Sequence, residues 1–261
     1  MNVLLDQSRH PVVGHRGNSA HAPENTLESF AQAIALGVDA IEFDVRLSSD
    51  AIPVVHHDPD VARTTDGIGL VAGLTAQQLA KLDAGARFTR DQGRSYPYRG
   101  KGIGIPRFEE VLTSFPSTPA LIELKTPAVA LAIRKVIEDL HAEDRCVVDS
   151  FTSEALRVFD GSRIAVGATR PDVVRLMREV VTGRPVTPPV FAALCIPLSY
   201  YGLPLPVRRF ARISPSNGFV VHIWTINDPK VAISLWKSGV NGIISDDPGP
   251  MIAARASLSI T

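Results

Sequence analysis

Cysteine is scarce. Cys146 and Cys195 are the only two in 261 residues, too few for a disulfide framework, and each lies in an apolar run of buried-strand type, so both are expected to be inert core thiols. Net charge is lacking too, since 27 basic residues balance 27 acidic ones. A neutral chain has no overall attraction to nucleic acid or to an anionic membrane, although a local positive site stays open. No run suits a transmembrane helix. The uncharged stretch 187–207 has the length, but it contains Pro188, Pro189, Pro197, Pro204 and Pro206, which a membrane helix does not carry. The first eleven residues mix polar and charged side chains with a few apolar ones and lack the h-region of a secretory signal, so a cytoplasmic protein is expected.

What is present is ordinary globular material, 45% apolar and 21% charged, in a length that a single barrel domain spans. Eight short apolar runs recur: Val12–His15, Ala40–Val45, Ala120–Lys125, Cys146–Asp149, Ile164–Gly167, Phe191–Cys195, Phe219–Trp224 and Gly242–Ile244. Between them lie stretches with helical spacing. Asn25–Leu36 sets Leu27, Phe30, Ala31 and Ile34 on one face, and Ala128–Leu140 does so with Leu131, Ile133, Val136, Ile137 and Leu140. Pro171–Val181 and Asp228–Lys237 follow suit. Strand alternating with helix predicts a parallel sheet, and eight repeats predict a closed (β/α)8 TIM barrel, one domain over residues 1–261.

The run Ile52–His56 breaks the alternation, because only Ser48, Ser49, Asp50 and Ala51 separate it from the strand before. A parallel crossover needs a dozen or more residues, so this run must return antiparallel as a hairpin. It opens an insertion, about 47–104, after the second barrel strand, rich in Gly, Asp, Arg and Thr, with one helix expected over Thr75–Asp83.

Side chains alternate along a strand, so Glu42 and Asp44 share a face, as do Glu123 and Lys125, all at the C-terminal strand ends where barrel enzymes build their sites. Three converging carboxylates repel one another unless a cation neutralises them, and oxygen ligands favour Mg²⁺, Ca²⁺ or Mn²⁺. The alternative is local pairing at the rim, Lys125 with Glu123 and Arg46 with Asp44. His15-Arg16-Gly17 follows the first strand at the same mouth. There an imidazole can move protons, a guanidinium can grip phosphate and Gly17 permits tight chain reversal. His56-His57-Asp58 brings a second ring towards it. Trp224 ends the seventh strand, as pocket wall or as core. Asn25 is expected to cap the first helix, with Glu28 completing a capping box. His10, His21, His141 and His222 suit structural roles.

Taken in order, the stretch HRGNSAHAPENTLESFAQAIALGVDAIEFDVRLSSDAIPVVHHDPDVARTT, then IPRFEEVL, LIELKTP, VVHIWTINDP and GVNGIISDDP, resembles the glycerophosphodiester phosphodiesterases over nearly the whole chain. Singly these motifs are weak; HRG, PENT, E-x-D, HD and E-x-K in this order are jointly specific. The resemblance implies a TIM barrel with a small insertion after the second strand. It implies one divalent ion held by Glu42, Asp44 and Glu123, His15 and His57 as acid and base, and Arg16 and Lys125 on phosphate, with Glu24 of the PENT motif also at the site. His57 is chosen over His56 because the family's histidine directly precedes the aspartate. The implied reaction releases glycerol 3-phosphate and an alcohol through a cyclic phosphate, from small-molecule glycerophosphodiesters. Two readings stand beside it: head-group cleavage of lysophospholipids, suggested by the apolar 187–207 stretch, and a barrel that binds phosphate esters without turnover. Arg107 in IPRFEEVL and Ser245-Asp246, where TD is commoner, depart from the family pattern without touching a proposed ligand.

Overall fold

A computed structural model of the chain describes residues 2–258. Its strands are β1 (Val12–His15), β2 (Ala40–Leu47), β3 (Pro53–Val55), β4 (Ala120–Leu124), β5 (Cys146–Asp149), β6 (Ala165–Val166), β7 (Ala193–Pro197), β8 (Ser199–Tyr200), β9 (Leu203–Pro204), β10 (Val220–Trp224) and β11 (Gly242–Ser245). Its helices are α1 (Leu27–Leu36), α2 (Ala76–Ala80), α3 (Phe108–Ser114), α4 (Ala130–Asp139), α5 (Ser153–Arg157), α6 (Arg170–Thr182), α7 (Val207–Asn217), α8 (Pro229–Lys237) and α9 (Pro248–Leu258).

Parallel pairing runs β6-β5-β4-β2-β1-β11-β10-β7. The ring closes between β6 and β7 through a parallel bridge from Gly167 to Ala193, where Ala168 N–H donates to Ala193 O at 2.8 Å and Ala192 N–H to Val166 O at 2.9 Å. The expected eight-stranded barrel is therefore the observed fold. The odd run folds as the hairpin argument requires, β3 pairing antiparallel with β2 in the register Val45 to Val55 and Leu47 to Pro53.

Inward positions of the strands fill the barrel: Val13, Ala40, Leu121, Val147, Ala193, Cys195, Val220 and Ile244, joined from the N-terminal segment by Leu4. Outward positions meet the helices in two further clusters, one built on Phe30, Phe43, Phe108 and Ile122, the other on Phe210, Phe219, Ile223 and Trp236. Strands buried on both faces explain why the runs read as continuously apolar rather than alternating. Two helix-face assignments shift. Ala31 is exposed while Ala33 is buried, and Leu131 is 70% exposed, because Ile133 and Ile137, one turn apart, define the inward stripe of α4 and Leu131 lies off it.

The insertion carries its own small core of Val54, Val61, Val71, Ala76, Leu79 and Ile105, and its helix is shorter than expected, Ala76–Ala80 behind a Thr75–Gln78 capping box. Among the described residues no helix is long and apolar enough to cross a membrane.

Candidate active site at the barrel mouth

In-register pairing sets the site. His15 of β1 lies opposite Glu42 of β2, while Asp44 of β2 lies opposite Glu123 of β4, which lies opposite Asp149 of β5. Residues in register on neighbouring strands point to the same side, so one inner surface collects an imidazole and four carboxyls at the C-terminal rim. A cavity of about 170 Å³ opens there, lined by His15, Arg16, Glu42, His57, Glu123, Lys125, Asp149, Phe151, Cys195 and Trp224 among others.

Oxygens of Glu42, Asp44 and Glu123 come within 4.8 Å of one another, a spacing that one cation can span. Each is held differently. Glu42 accepts from the Arg16 backbone N–H at 3.0 Å and stands 3.9 Å from His15 Nε2. Asp44, 1% exposed, receives Lys125 Nζ at 2.8 Å on one oxygen, and on the other Asn25 Nδ2 at 2.9 Å and the Arg16 guanidinium at 3.1 Å. Arg16 Nε makes that approach as an ion pair without hydrogen-bond alignment. Glu123 accepts from Lys125 Nζ at 2.6 Å. So the rim pair between Lys125 and Glu123 forms, and Lys125 bridges to Asp44 as well. The alternative pair of Arg46 with Asp44 does not; Arg46 Nε donates instead to His57 O at 2.8 Å, fixing the hairpin end.

Burial, reinforced by Asp44 close by, pushes the Glu42 carboxyl up to about 7. Asp44 is just as buried, yet Lys125 and Arg16 overcome the burial and hold it at about 2. The carboxyl cluster thus contains one member without a full positive partner. An all-oxygen donor set of this kind fits Mg²⁺, Ca²⁺ or Mn²⁺.

Both imidazoles are oriented by carboxylates. His15 Nδ1 lies 2.6 Å from Asp246 Oδ1, and His57 Nδ1 lies 2.6 Å from Asp58 Oδ1. Each Nε2 is thereby left for other partners. For His15, burial disfavours the charged ring, but Glu42 and Asp246 outweigh it and raise its pKa above the usual value. His56, the rejected neighbour, is buried, with Nε2 3.2 Å from Asp60 O, and burial lowers its pKa.

Glu24 does not line the cavity. It accepts from Arg16 at 2.8 Å and from Arg63 at 2.7 Å, tying the first loop to the insertion. Trp224 is both wall and packing, with its ring edge-on to Phe151 at 6.4 Å. The turn after β1 needs Gly17, whose φ is 88° and where a Cβ would sit 2.4 Å from Ser29 Oγ.

Four residues escaped sequence reasoning. Asn25 is not the helix cap: Thr26 is, accepting from Ser29 N–H at 3.2 Å. Asn25 sits at φ 59°, a conformation Asn tolerates better than most residues, and turns its amide onto Asp44. Asp246 enters the sequence pattern only beside Ser245, the residue that departs from TD; it receives His15, Ser19 Oγ at 3.0 Å and Asn227 Nδ2 at 2.9 Å. Despite its burial, those bonds, led by the one from His15, hold it at about 2. Asp149 is driven up to about 8 by burial and by Glu123, and fits because its neighbour Gly167 has no Cβ, which would stand 2.3 Å from Asp149 Oδ1. Strand-end position could have flagged it as it flagged Glu42. Phe151, just beyond β5, gave no signal.

With this geometry in view, known proteins are informative. The family model of the glycerophosphoryl diester phosphodiesterases matches residues 15–250. A glycerophosphodiester phosphodiesterase of Caldanaerobacter subterraneus subsp. tengcongensis is 31% identical over 258 residues, covering 92% of this chain and 96% of that protein. Among solved structures, an Oleispira antarctica phosphodiesterase in complex with the product sn-glycerol-3-phosphate is 29% identical, with a TM-score of 0.74, covering 95% of this chain and 98% of the other. A glycerophosphoryl diester phosphodiesterase domain from Mycobacterium tuberculosis superposes with a TM-score of 0.81 over 95% of this chain and 99% of its own, at 22% identity, a likeness of fold. By matched length, by motif order and by barrel, this chain belongs to the glycerophosphoryl diester phosphodiesterase family.

Proposed function

We propose that the chain hydrolyses glycerophosphodiesters to glycerol 3-phosphate and an alcohol, using a divalent cation held by Glu42, Asp44 and Glu123, with His15 and His57 moving the protons. The observation that carries this reading is the three-carboxylate cluster, whose Glu42 and Glu123 line one cavity together with two carboxylate-oriented imidazoles. Relatives whose names state this activity, and one holding the product sn-glycerol-3-phosphate, support it.

Arg16 and Lys125 present a guanidinium and an ammonium to the phosphate. Glu42, Asp44 and Glu123 would hold the divalent ion, which would supply Lewis-acid stabilisation of a glycerol oxygen and of the phosphoryl charge. One imidazole takes the proton of the hydroxyl neighbouring the ester as that oxygen bonds to phosphorus. The other, protonated, gives its proton to the departing alcohol oxygen as the ester bond breaks. Water then opens the resulting cyclic phosphate with the two rings in exchanged roles. Asp246 and Asp58 hold the rings in the tautomer that keeps Nε2 towards the cavity.

An acylated substrate is a second reading with its own observation. A side cavity of about 100 Å³, lined by Phe151, Ala168, Val173, Met177, Ile196 and Tyr200, shares Asp149, Phe151 and Cys195 with the catalytic cavity. It would take part of a lysophospholipid chain. Release of glycerol 3-phosphate from glycerophosphocholine, with and without chelator, tests the main reading; turnover of lysophosphatidylcholine beside it tests the second. Product release that survives complete metal removal sinks the metal-assisted mechanism. We take the catalytic domain as residues 1–261, the insertion being 47–104, and the compartment as the cytoplasm, where two buried unpaired thiols are at home.

A further inference from the structure

The chain is neutral as a whole, but its charge is unevenly spread. From Val180 to Asn227 there is no Asp or Glu, while Arg184, Arg208, Arg209 and Arg212 fall within the stretch. The fold gathers part of this stretch at one place on the rim. Strands β8 and β9 form a two-residue hairpin whose turn, Tyr201-Gly202, has φ 48° and 77°, the left-handed pair that a type I′ turn demands. Gly202 takes this conformation freely; Tyr201 is an unfavourable residue for it. The strained position lifts an aromatic ring to the tip.

Tyr201 is 88% and Leu203 71% exposed, and Leu198 beside them is 38% exposed. The Tyr201 ring stands edge-on to Tyr200, with centroids 4.5 Å apart. Directly beneath, a groove is lined by Leu198, Leu205, Pro206, Arg208, Arg209 and Lys230. Arg170 adds a fourth cation, with its guanidinium 5.5 Å from the Tyr200 ring. All four cations are exposed, and among the described residues none forms an ion pair. The two acids nearest in sequence are engaged elsewhere: Asp228 accepts from the Lys230 backbone N–H at 2.8 Å as the cap of α8, and Asp172 accepts from the Thr169 backbone N–H at 3.0 Å and pairs with Arg175 at 3.3 Å. An apolar tip with an aromatic residue, ringed by unpaired cations, has the composition of an interfacial anchor: apolar groups enter the acyl boundary, tyrosine rests at headgroup level and arginines meet anionic headgroups.

We infer that the β8–β9 hairpin, with Arg170, Arg208, Arg209 and Lys230, docks the barrel mouth reversibly onto an anionic lipid surface. The occupant is argued from charge complementarity and from continuity with the side cavity, since Tyr200 and Leu205 line that cavity as well as bounding the hairpin. Docking would bring the apolar side of the active site against the bilayer, where esters with aliphatic chains reside. The inference concerns binding and stands whether or not the proposed reaction is correct.

The test is co-sedimentation of the full chain with vesicles of phosphatidylcholine alone and of phosphatidylcholine mixed with phosphatidylglycerol. Binding is expected to the mixed vesicles, far less to the neutral ones, and to weaken as salt is added. Each arginine near an anionic surface contributes about five-fold to affinity, so Arg208→Gln with Arg209→Gln should weaken binding about 30-fold. Tyr201→Ser with Leu203→Ser should weaken it more than about ten-fold, because the inserted apolar area is lost. All four positions are exposed, and an unchanged circular dichroism melt verifies folding. Equal binding to both vesicle types, binding to neither, or binding that survives both double variants overturns the inference. So does a wild-type dimer in sedimentation velocity that Tyr201→Ser with Leu203→Ser dissolves, which would make the hairpin a contact between copies.

Discussion

Replacing Asp246 with Asn probes the site at its least expected member. The carboxylate stands 2.6 Å from His15 Nδ1, and its own affinity for protons is depressed to about 2, so it is ionised wherever the enzyme works. Its charge does two things to His15: it favours the imidazolium, and it holds the proton on Nδ1 so that Nε2 faces the cavity. An Asn side chain keeps the shape and removes the charge, and it can present its N–H₂ group to Nδ1, selecting the wrong tautomer. Loss of an orienting partner costs roughly ten- to 100-fold, and a wrong tautomer in an Asp–His pair costs up to about 10⁴, so kcat/KM should fall about 10²- to 10³-fold, or about 3 to 4 kcal/mol of transition-state stabilisation. Affinity for glycerol 3-phosphate should stay within a few-fold, since Arg16 and Lys125 are untouched. The sign on pH is fixed. Removing a negative charge lowers the His15 pKa, so the limb of the kcat/KM profile that His15 governs moves to lower pH. Steady-state release of glycerol 3-phosphate across pH measures both quantities. A loss smaller than about three-fold with both limbs in place would refute the coupling of Asp246 to His15.

Cation loading should raise the melting temperature and be abolished by Glu42→Gln, a readout independent of turnover; at 100 times Kd the stabilisation is about 2.7 kcal/mol. Lys125→Met should tighten cation binding about ten-fold or more, because an ammonium 2.8 Å from Asp44 and 2.6 Å from Glu123 no longer competes, while lowering turnover; a weaker cation affinity in isothermal titration would contradict this. Asn25→Ala should destabilise by about 2 to 4 kcal/mol in urea melts, combining a left-handed alanine with loss of the amide bonds to Asp44. Buried His222 donates through Nε2 to Leu4 O at 2.8 Å, and burial holds its pKa down at about 4. Its neutral form is the folded one, so stability is full above the unfolded value near 6.5 and falls by about 3 kcal/mol as pH drops to about 4. His222→Gln should flatten that part of the pH dependence of urea unfolding.

The barrel and its hairpin were legible because short apolar runs alternate with stretches of helical spacing, and because four residues between Leu47 and Ile52 cannot make a parallel crossover. Glu42, Asp44, Glu123 and Lys125 were legible for the same reason, as charges breaking an apolar strand at its end. Their supports were not. Asn25 looks like a helix cap in sequence, and only the left-handed turn between Glu24 and Thr26 shows that Thr26 takes the cap and frees Asn25 for Asp44. The partnership of His15 with Asp246 spans 231 residues and exists because β11 closes the ring beside β1. Sequence spacing carries no trace of it. The basic stretch 180–227, free of Asp and Glu, was hidden by averaging, since a total of zero charge says nothing about where the charges sit.

The distribution of partners around the carboxyls also explains the design of the site. Lys125 and Arg16 both serve Asp44, and Lys125 serves Glu123 too. Glu42 receives only a backbone N–H and a distant imidazole. Fixed cations therefore hold Asp44 and Glu123 in place, and the shortage of positive charge is concentrated on Glu42. On the proposed reading, a divalent ion entering the cluster would meet Asp44 already deprotonated and compete with a proton at Glu42, whose carboxyl is pushed up to about 7. Metal affinity should accordingly rise with pH through neutrality.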